Sequence, residues 1–336
     1  MKQAFIAALS ALVLSHVPVA KAQSPQPVTW KLATGYRAES FHTQNIAQFA
    51  SEVSVASAGQ LTVEVFPNGT LAKLADISQA VRDGKAQAGE TIMSSMVKDI
   101  STAGAESVPF VVISYSDEQR LLKLERHGIE KLFTERSIKL LYAVPWPPQG
   151  LHSSKPVRSL ADFKGTKMRI YNSTMLRIAE LLGAKPVDMV TADVGKALAE
   201  GRMDNMITSA LTGVENKVWS QIKYYYEINA SLLKNVVFVS SKAFEALKPD
   251  LRSAVLKAAG DADIRGQAAS EAMATSATEE LRANGVKIER IPADVDLEIK
   301  RIGEKFSREW VSSLAMKPTP FLHPTTLSNQ LSKFKQ

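Results

Sequence analysis

The chain has 336 residues, 45% of them hydrophobic and 22% charged, with 41 basic and 34 acidic side chains giving a formal charge of +7. That length allows about two domains, each large enough for its own core. There is no cysteine, which excludes disulfides, thiolate metal sites and a cysteine nucleophile; a positive balance this mild and dispersed argues for anionic small molecules and against nucleic acid.

Residues 1–22 read as a secretory signal. Lys2 precedes an apolar run over 4–19, and Ala20-Lys21-Ala22 forms a small-x-small cleavage site. Removing the segment takes two lysines and no acid, leaving +5 (39 minus 34). Ser10, Ser15, His16 and Pro18 interrupt the run, which is too short for a membrane span, and no cysteine follows for a lipid anchor. The expected location is the periplasm. A polar tail over 23–27 leads into alternation over 28–34, the first strand. Ile46, Phe49, Ala50 and Val53 at helical spacing predict a helix over 42–57, closed by Gly59. Leu61, Val63 and Val65 give the second strand, with the turn Pro67-Asn68-Gly69 after it. A short helix around Ile77 and Val81 stops at Gly84, and 86–92 is the third strand. The order β-α-β-α-β implies a parallel sheet with helices on both faces. Its ligand edge would carry the loops 36–41 and 93–96.

Val108 to Val112 is an apolar connector, and Ser116 to Gln119 fits a capping box for a helix through Ile129 and Leu132. A strand over 138–144 runs into Pro145-Trp146-Pro147-Pro148-Gln149-Gly150, where three prolines stop helix and ladder alike. This is the expected crossing into a second domain. There, Ser159 to Asp162 is a second capping pattern, and 166–170 is a strand that leads into a helix capped by Asn172 or Ser173, with Met175, Ile178, Ala179 and Leu182 on one face. Strands over 185–189, 203–208 and 224–228 follow, with Thr191 as the cap of a short helix between the first two. A strand over 236–240 returns to the first sheet. Pro249 opens a helix to about Asn284; a last short strand at 286–289 and a helix over 293–314 complete the fold. The expected division is residues 23–146 plus 235–275 for the first lobe, and 147–234 plus 276–336 for the second lobe and the C-terminal helix.

The chemistry concentrates at Arg169, near the carboxyl end of its strand, where ligands bind in open α/β folds. A guanidinium there offers a planar fork of donors matched to a carboxylate. Thr208 ends another strand on the same side. Trp146 and Gln149 lie at the crossing, and Tyr36 and Phe41 follow the first strand as an apolar wall. Met175 is a further candidate ligand contact. Catalytic patterns are missing from the sequence: His42, His127, His152 and His323 show no metal-ligand spacing, and there is no Gly-x-Ser-x-Gly elbow and no phosphate loop. No cofactor is expected.

In order and spacing the chain resembles the DctP-type solute-binding proteins of TRAP transporters. The pieces are Gly59-Gln60-Leu61-Thr62-Val63-Glu64-Val65-Phe66-Pro67-Asn68-Gly69, Val81-Arg82-Asp83-Gly84, Val108-Pro109-Phe110, Lys164-Gly165-Thr166-Lys167-Met168-Arg169 and Glu200-Gly201-Arg202-Met203-Asp204. The resemblance implies an α/β fold of two lobes joined by hinge strands, a long bracing helix near the C-terminus, closure around a small organic acid, and delivery to membrane permease subunits driven by a cation gradient. It implies that Arg169 pairs with the ligand carboxylate, and that Tyr225 and Asn229 come near a place where the family often supplies a polar contact. Two positions depart from the family pattern: Gln149 stands where many members carry a second arginine, and Thr208 where many carry an asparagine. With one positive charge fewer, the expected ligand is a monocarboxylate, and the expected state is a monomer. The rival roles are a ligand-sensing subunit for a receptor kinase and, from another class, a periplasmic hydrolase or isomerase.

Overall fold

The computed structural model describes residues 27–315, so the signal segment expected over 1–22 and the tail from Met316 onward lie outside the described residues. The first sheet is built from β1 (Val28–Thr34), β2 (Leu61–Phe66), β3 (Ala88–Ile92), β4 (Ile138–Pro145) and a later strand. Helices α1 (Phe41–Ala56), α2 (Ile77–Arg82) and α3 (Tyr115–Thr134) connect them. The second half contains β5 (Gln149–Ser153), β6 (Lys167–Ile170), α4 (Ser173–Leu181), β7 (Lys185–Asp188), α5 (Val194–Ala199), β8 (Asn205–Ser209), α6 (Ala210–Glu215) and β9 (Tyr224–Tyr226). β10 (Lys234–Ser240) goes back to the first sheet, followed by α7 (Ser241–Glu245), α8 (Pro249–Ala283), β11 (Lys287–Glu289) and α9 (Ala293–Ala315).

The strand orders are β2-β1-β3-β10-β4 and β11-β9-β5-β8-β6-β7. β1 pairs in parallel with both β2 and β3, as the β-α-β-α-β order predicts. β10 inserts antiparallel between β3 and β4. Six of its seven residues are buried, which accounts for its unbroken apolar run: a central strand has no solvent face on which to alternate.

The chain passes between the sheets at 146–148 and again at 227–233. The two passages lie side by side, joined by Trp146 N–H to Leu233 O at 2.7 Å, Gln149 N–H to Ser231 O at 2.9 Å and Ala230 N–H to Gln149 O at 2.9 Å. α8 packs on α1 and β4 in the first half and on α6 and β11 in the second, so a single helix braces both lobes.

Local chemistry moved two caps. Ser114, not Ser116, caps α3, its hydroxyl accepting from Asp117 N–H. Thr191 caps no helix with its side chain: its hydroxyl receives a hydrogen bond from Arg169. α6 and α7, of six and five residues, were not read from the sequence: both are too short for a helical period, and neither is closed by a glycine like Gly84 after α2 or Gly201 after α5.

Candidate functional site

A cavity of about 210 Å³ opens between the two sheets at the passages. Tyr36 and Ser95 reach it from the loops after β1 and β3, and Trp146, Gln149 and Leu233 from the crossing segments. Arg169, Tyr171, Thr191, Thr208 and Thr212 line the opposite side. This puts both sets of strand ends around one volume, as the α/β arrangement requires.

Arg169 is 3% exposed. Its Nε donates to Met189 O and its Nη2 to Thr191 Oγ1, both at 3.2 Å. Its guanidinium carbon lies 4.6 Å from the centre of the Tyr171 ring, a cation–π stack. None of these partners carries charge, and no acidic side chain among the described residues is ion-paired with it. Burial lowers its pKa, but a guanidinium stays protonated at neutral pH. Asp188 lines the same cavity and acts on Arg169 through space without an ion pair, so the guanidinium has no directly bonded carboxylate.

The neighbouring groups supply shape and polarity. Gln149 Nε2 donates to Pro147 O at 3.0 Å, which forces the amide oxygen to be the free end. Thr208 pairs across the ladder with Gly150. Tyr36 and Trp146 make an aromatic wall, ring centres 5.4 Å apart. Behind them, His42 lies 4.3 Å from the indole. Burial holds that imidazole well below its usual pKa, so it is neutral, and its 3.6 Å approach to Glu90 is not a charge pair.

Of the residues singled out in the sequence, Arg169, Thr208, Gln149, Trp146 and Tyr36 meet at this cavity. The other four do not line it. Phe41 stands behind the wall, edge-on to Trp146 at 5.7 Å. Met175 lies on the buried face of α4, in the second lobe's core. Tyr225 fills the space over Gly150: a Cβ on that glycine would sit 2.4 Å from the ring. Asn229, in the left-handed backbone region at φ 45°, lines a separate hollow with Phe110 and Arg290.

Sequence reasoning missed Tyr171, although its spacing carried a signal: in an extended segment, residues i and i+2 share a face, and Arg169 marked that face. It also missed Arg37, which crosses from the first lobe to donate to Ala192 O at 2.6 Å, Asn216 Oδ1 at 2.9 Å and Glu215 O at 3.0 Å. Two further contacts bridge the lobes, Asn172 to Ser94 at 3.2 Å and Thr174 to Ser107 at 2.9 Å. With these bridges in place, the lobes are held closed over the cavity.

A model of the bacterial extracellular solute-binding protein family 7, DctP, matches residues 32–312. The DctP7 extracytoplasmic solute receptor of Bordetella pertussis, solved binding pyroglutamic acid, is 32% identical, with a TM-score of 0.84 over 92% of this chain and 100% of that one. A marine metagenome TRAP solute-binding protein specific for pyroglutamate is also 32% identical, with a TM-score of 0.86 over 92% of this chain and 99% of that one. The C4-dicarboxylate-binding periplasmic protein DctP of Vibrio cholerae is 26% identical over 63% of this chain and 64% of its own length. This is a transport family rather than an enzymatic one, whose members bind small organic acids and work with membrane permease subunits. The chain belongs to it: this is a DctP-type solute-binding protein of the TRAP transporter class.

Proposed function

We propose that the protein captures a small cyclic monocarboxylate of the pyroglutamate type in the periplasm and hands it, lobes closed, to a TRAP permease. The observation that carries this reading is Arg169, a buried cation whose every partner is neutral. Such a group is stabilised by one anion placed against its open face. A single cationic fork matches one carboxylate. The free oxygen of Gln149 suits a ligand N–H, and the Tyr36 and Trp146 rings suit a flat body. A volume of about 210 Å³ lies below the range of roughly 300–1,000 Å³ usual for drug-sized ligands, in keeping with a small metabolite. Two relatives at 32% identity are described as binding pyroglutamic acid or pyroglutamate.

The sheet memberships support a lobe boundary at 146/147. The proposed boundary at 275/276 falls inside α8, which crosses it as one continuous helix. The acting unit is proposed to be a monomer.

The test is calorimetric titration with L-pyroglutamate, succinate and D-glucuronate on wild type and Arg169→Met. Wild type is expected to bind pyroglutamate best. Losing one partner of a buried charge pair costs about 2–5 kcal/mol, roughly 30-fold to several thousand-fold in Kd. Unchanged binding in the variant, or tighter binding of succinate or glucuronate by wild type, overturns the reading.

A further inference from the structure

Tyr36 and Trp146 each end in a hydrogen-bond donor, yet neither donor is offered to the cavity they line. The Tyr36 phenol donates to Asn235 Oδ1 at 3.2 Å, and the Trp146 indole N–H donates to the same oxygen at 2.8 Å. An indole nitrogen can only donate, so the amide must turn its oxygen toward the rings. Its nitrogen then faces Glu90, whose Oε1 accepts from it at 2.8 Å while Oε2 accepts from the Thr34 hydroxyl at 2.6 Å. The amide orientation is thus dictated from both ends. Asn235 and Glu90 are each 1% exposed and Thr34 is 0%, so no water competes for these bonds. Asn235 stands on β10, two residues after Leu233, which itself lines the cavity.

We propose that Asn235 is the positioning residue that sets ligand selectivity, by drawing both donors of the aromatic wall away from the cavity. A ligand then meets two ring faces and no hydrogen-bonding edge on that side. Such a wall favours an acid with a flat or hydrocarbon body over one bearing hydroxyls, because a hydroxyl desolvated against ring faces loses its water partners and gains none. The proposal rests on the reading of the cavity as a carboxylate site and adds the residue that discriminates among carboxylates.

The experiment measures Kd for L-pyroglutamate, cyclopentanecarboxylate and D-glycerate by calorimetry on wild type, Asn235→Leu and Asn235→Asp. Leucine keeps the bulk but removes the shared acceptor, which frees the Tyr36 hydroxyl to turn toward the cavity and leaves the indole N–H without its partner. The preference for the two ring acids over glycerate should fall about tenfold, the worth of roughly one hydrogen bond. Aspartate keeps the oxygen that accepts from both rings, and its second oxygen shares a proton with Glu90, whose carboxyl burial already pushes up to about 7, so below that pH it should retain the wild-type preference even where it melts earlier. An unchanged preference in Asn235→Leu overturns the proposal, as does collapse of the preference in Asn235→Asp; if the leucine variant does not fold, the aspartate variant decides alone. Failure of the underlying reading looks different: wild type would bind none of the three acids, or Arg169→Met would bind them as wild type does.

Discussion

Two buried cations divide this molecule between permanent structure and unfinished site. Lys234, 1% exposed, lies 2.8 Å from Glu106 and 3.6 Å from Glu118. Burial alone would lower its pKa, but Glu106, Glu118 and Glu125 outweigh that and hold it above the ordinary lysine value. Arg169, also buried, has a carbonyl, a hydroxyl and an aromatic face as its direct partners. The lysine site is complete within the chain. At the arginine site one carboxylate, Asp188, acts only at a distance, and the position for a directly bonded anion is left to a ligand.

Breaking each cation should therefore give opposite phenotypes. Lys234→Met strands two or more buried carboxylates, and the loss of one partner in such a cluster is worth about 3–5 kcal/mol of folding stability. Urea denaturation of the ligand-free protein should show that loss, and a variant as stable as wild type would mean that the cluster does not depend on the lysine. Arg169→Met should do the reverse, with ligand-free stability unchanged or higher and the binding loss set out above. A comparable fall in both quantities would erase the distinction between the two sites.

Arg37 sharpens the comparison from outside the cavity, because its three acceptors all belong to the other lobe. These bonds exist only while the lobes are together. Since the side chain is partly exposed, its replacement by alanine should cost about 1–2 kcal/mol, read as roughly a tenfold faster ligand release in stopped-flow experiments. An unchanged release rate would show that the bridge adds nothing to closure.

A further expected effect concerns the pH dependence of Glu90. Burial pushes its carboxyl up to about 7, against hydrogen bonds from Thr34 and Asn235 that pull it down. A carboxyl raised on folding binds its proton more tightly in the folded state. Its contribution to stability is complete below the unfolded value near 4.5 and is lost as pH rises through about 7. Glu90→Gln removes that dependence, so the variant should gain on wild type between pH 5 and pH 8 in thermal melts. A difference that stays constant across that range contradicts the assignment.

Much of this was legible in the sequence, and the boundary of what was legible has a physical cause. The strand β1 and the helix α4 announce themselves through alternation, a cap and a stripe, all local signals. Arg169 could be singled out because position at a strand end already restricts what a guanidinium is for. Asn235 could not, since its partners Tyr36 and Trp146 lie 199 and 89 residues away and only the folded sheets bring them together. Thr191 illustrates competition rather than distance: a residue suited to capping a helix was recruited by a nearby cation that lacked acceptors. Tyr225 was misplaced because the open space over Gly150 that its ring fills cannot be deduced from either residue alone.

The bracing helix α8 bears on how the lobes can part. At 35 residues and 1.5 Å per residue it is a rod of about 52 Å, and its one proline, Pro249, lies in its first turn. On the first lobe it is bolted by polar contacts: Arg265 to Asn45 and Glu52, each at 2.7 Å, and Asn45 to Ala262 O at 2.9 Å. Gly266 lies so close to Val144 that a Cβ would approach to 2.4 Å. On the second lobe it offers Ala277 and Leu281, greasy side chains with no directional bonds to break. The rod is thus bonded directionally to the first lobe and held to the second by apolar packing, so a parting of the lobes is expected to slip at its far end and leave it seated on the first.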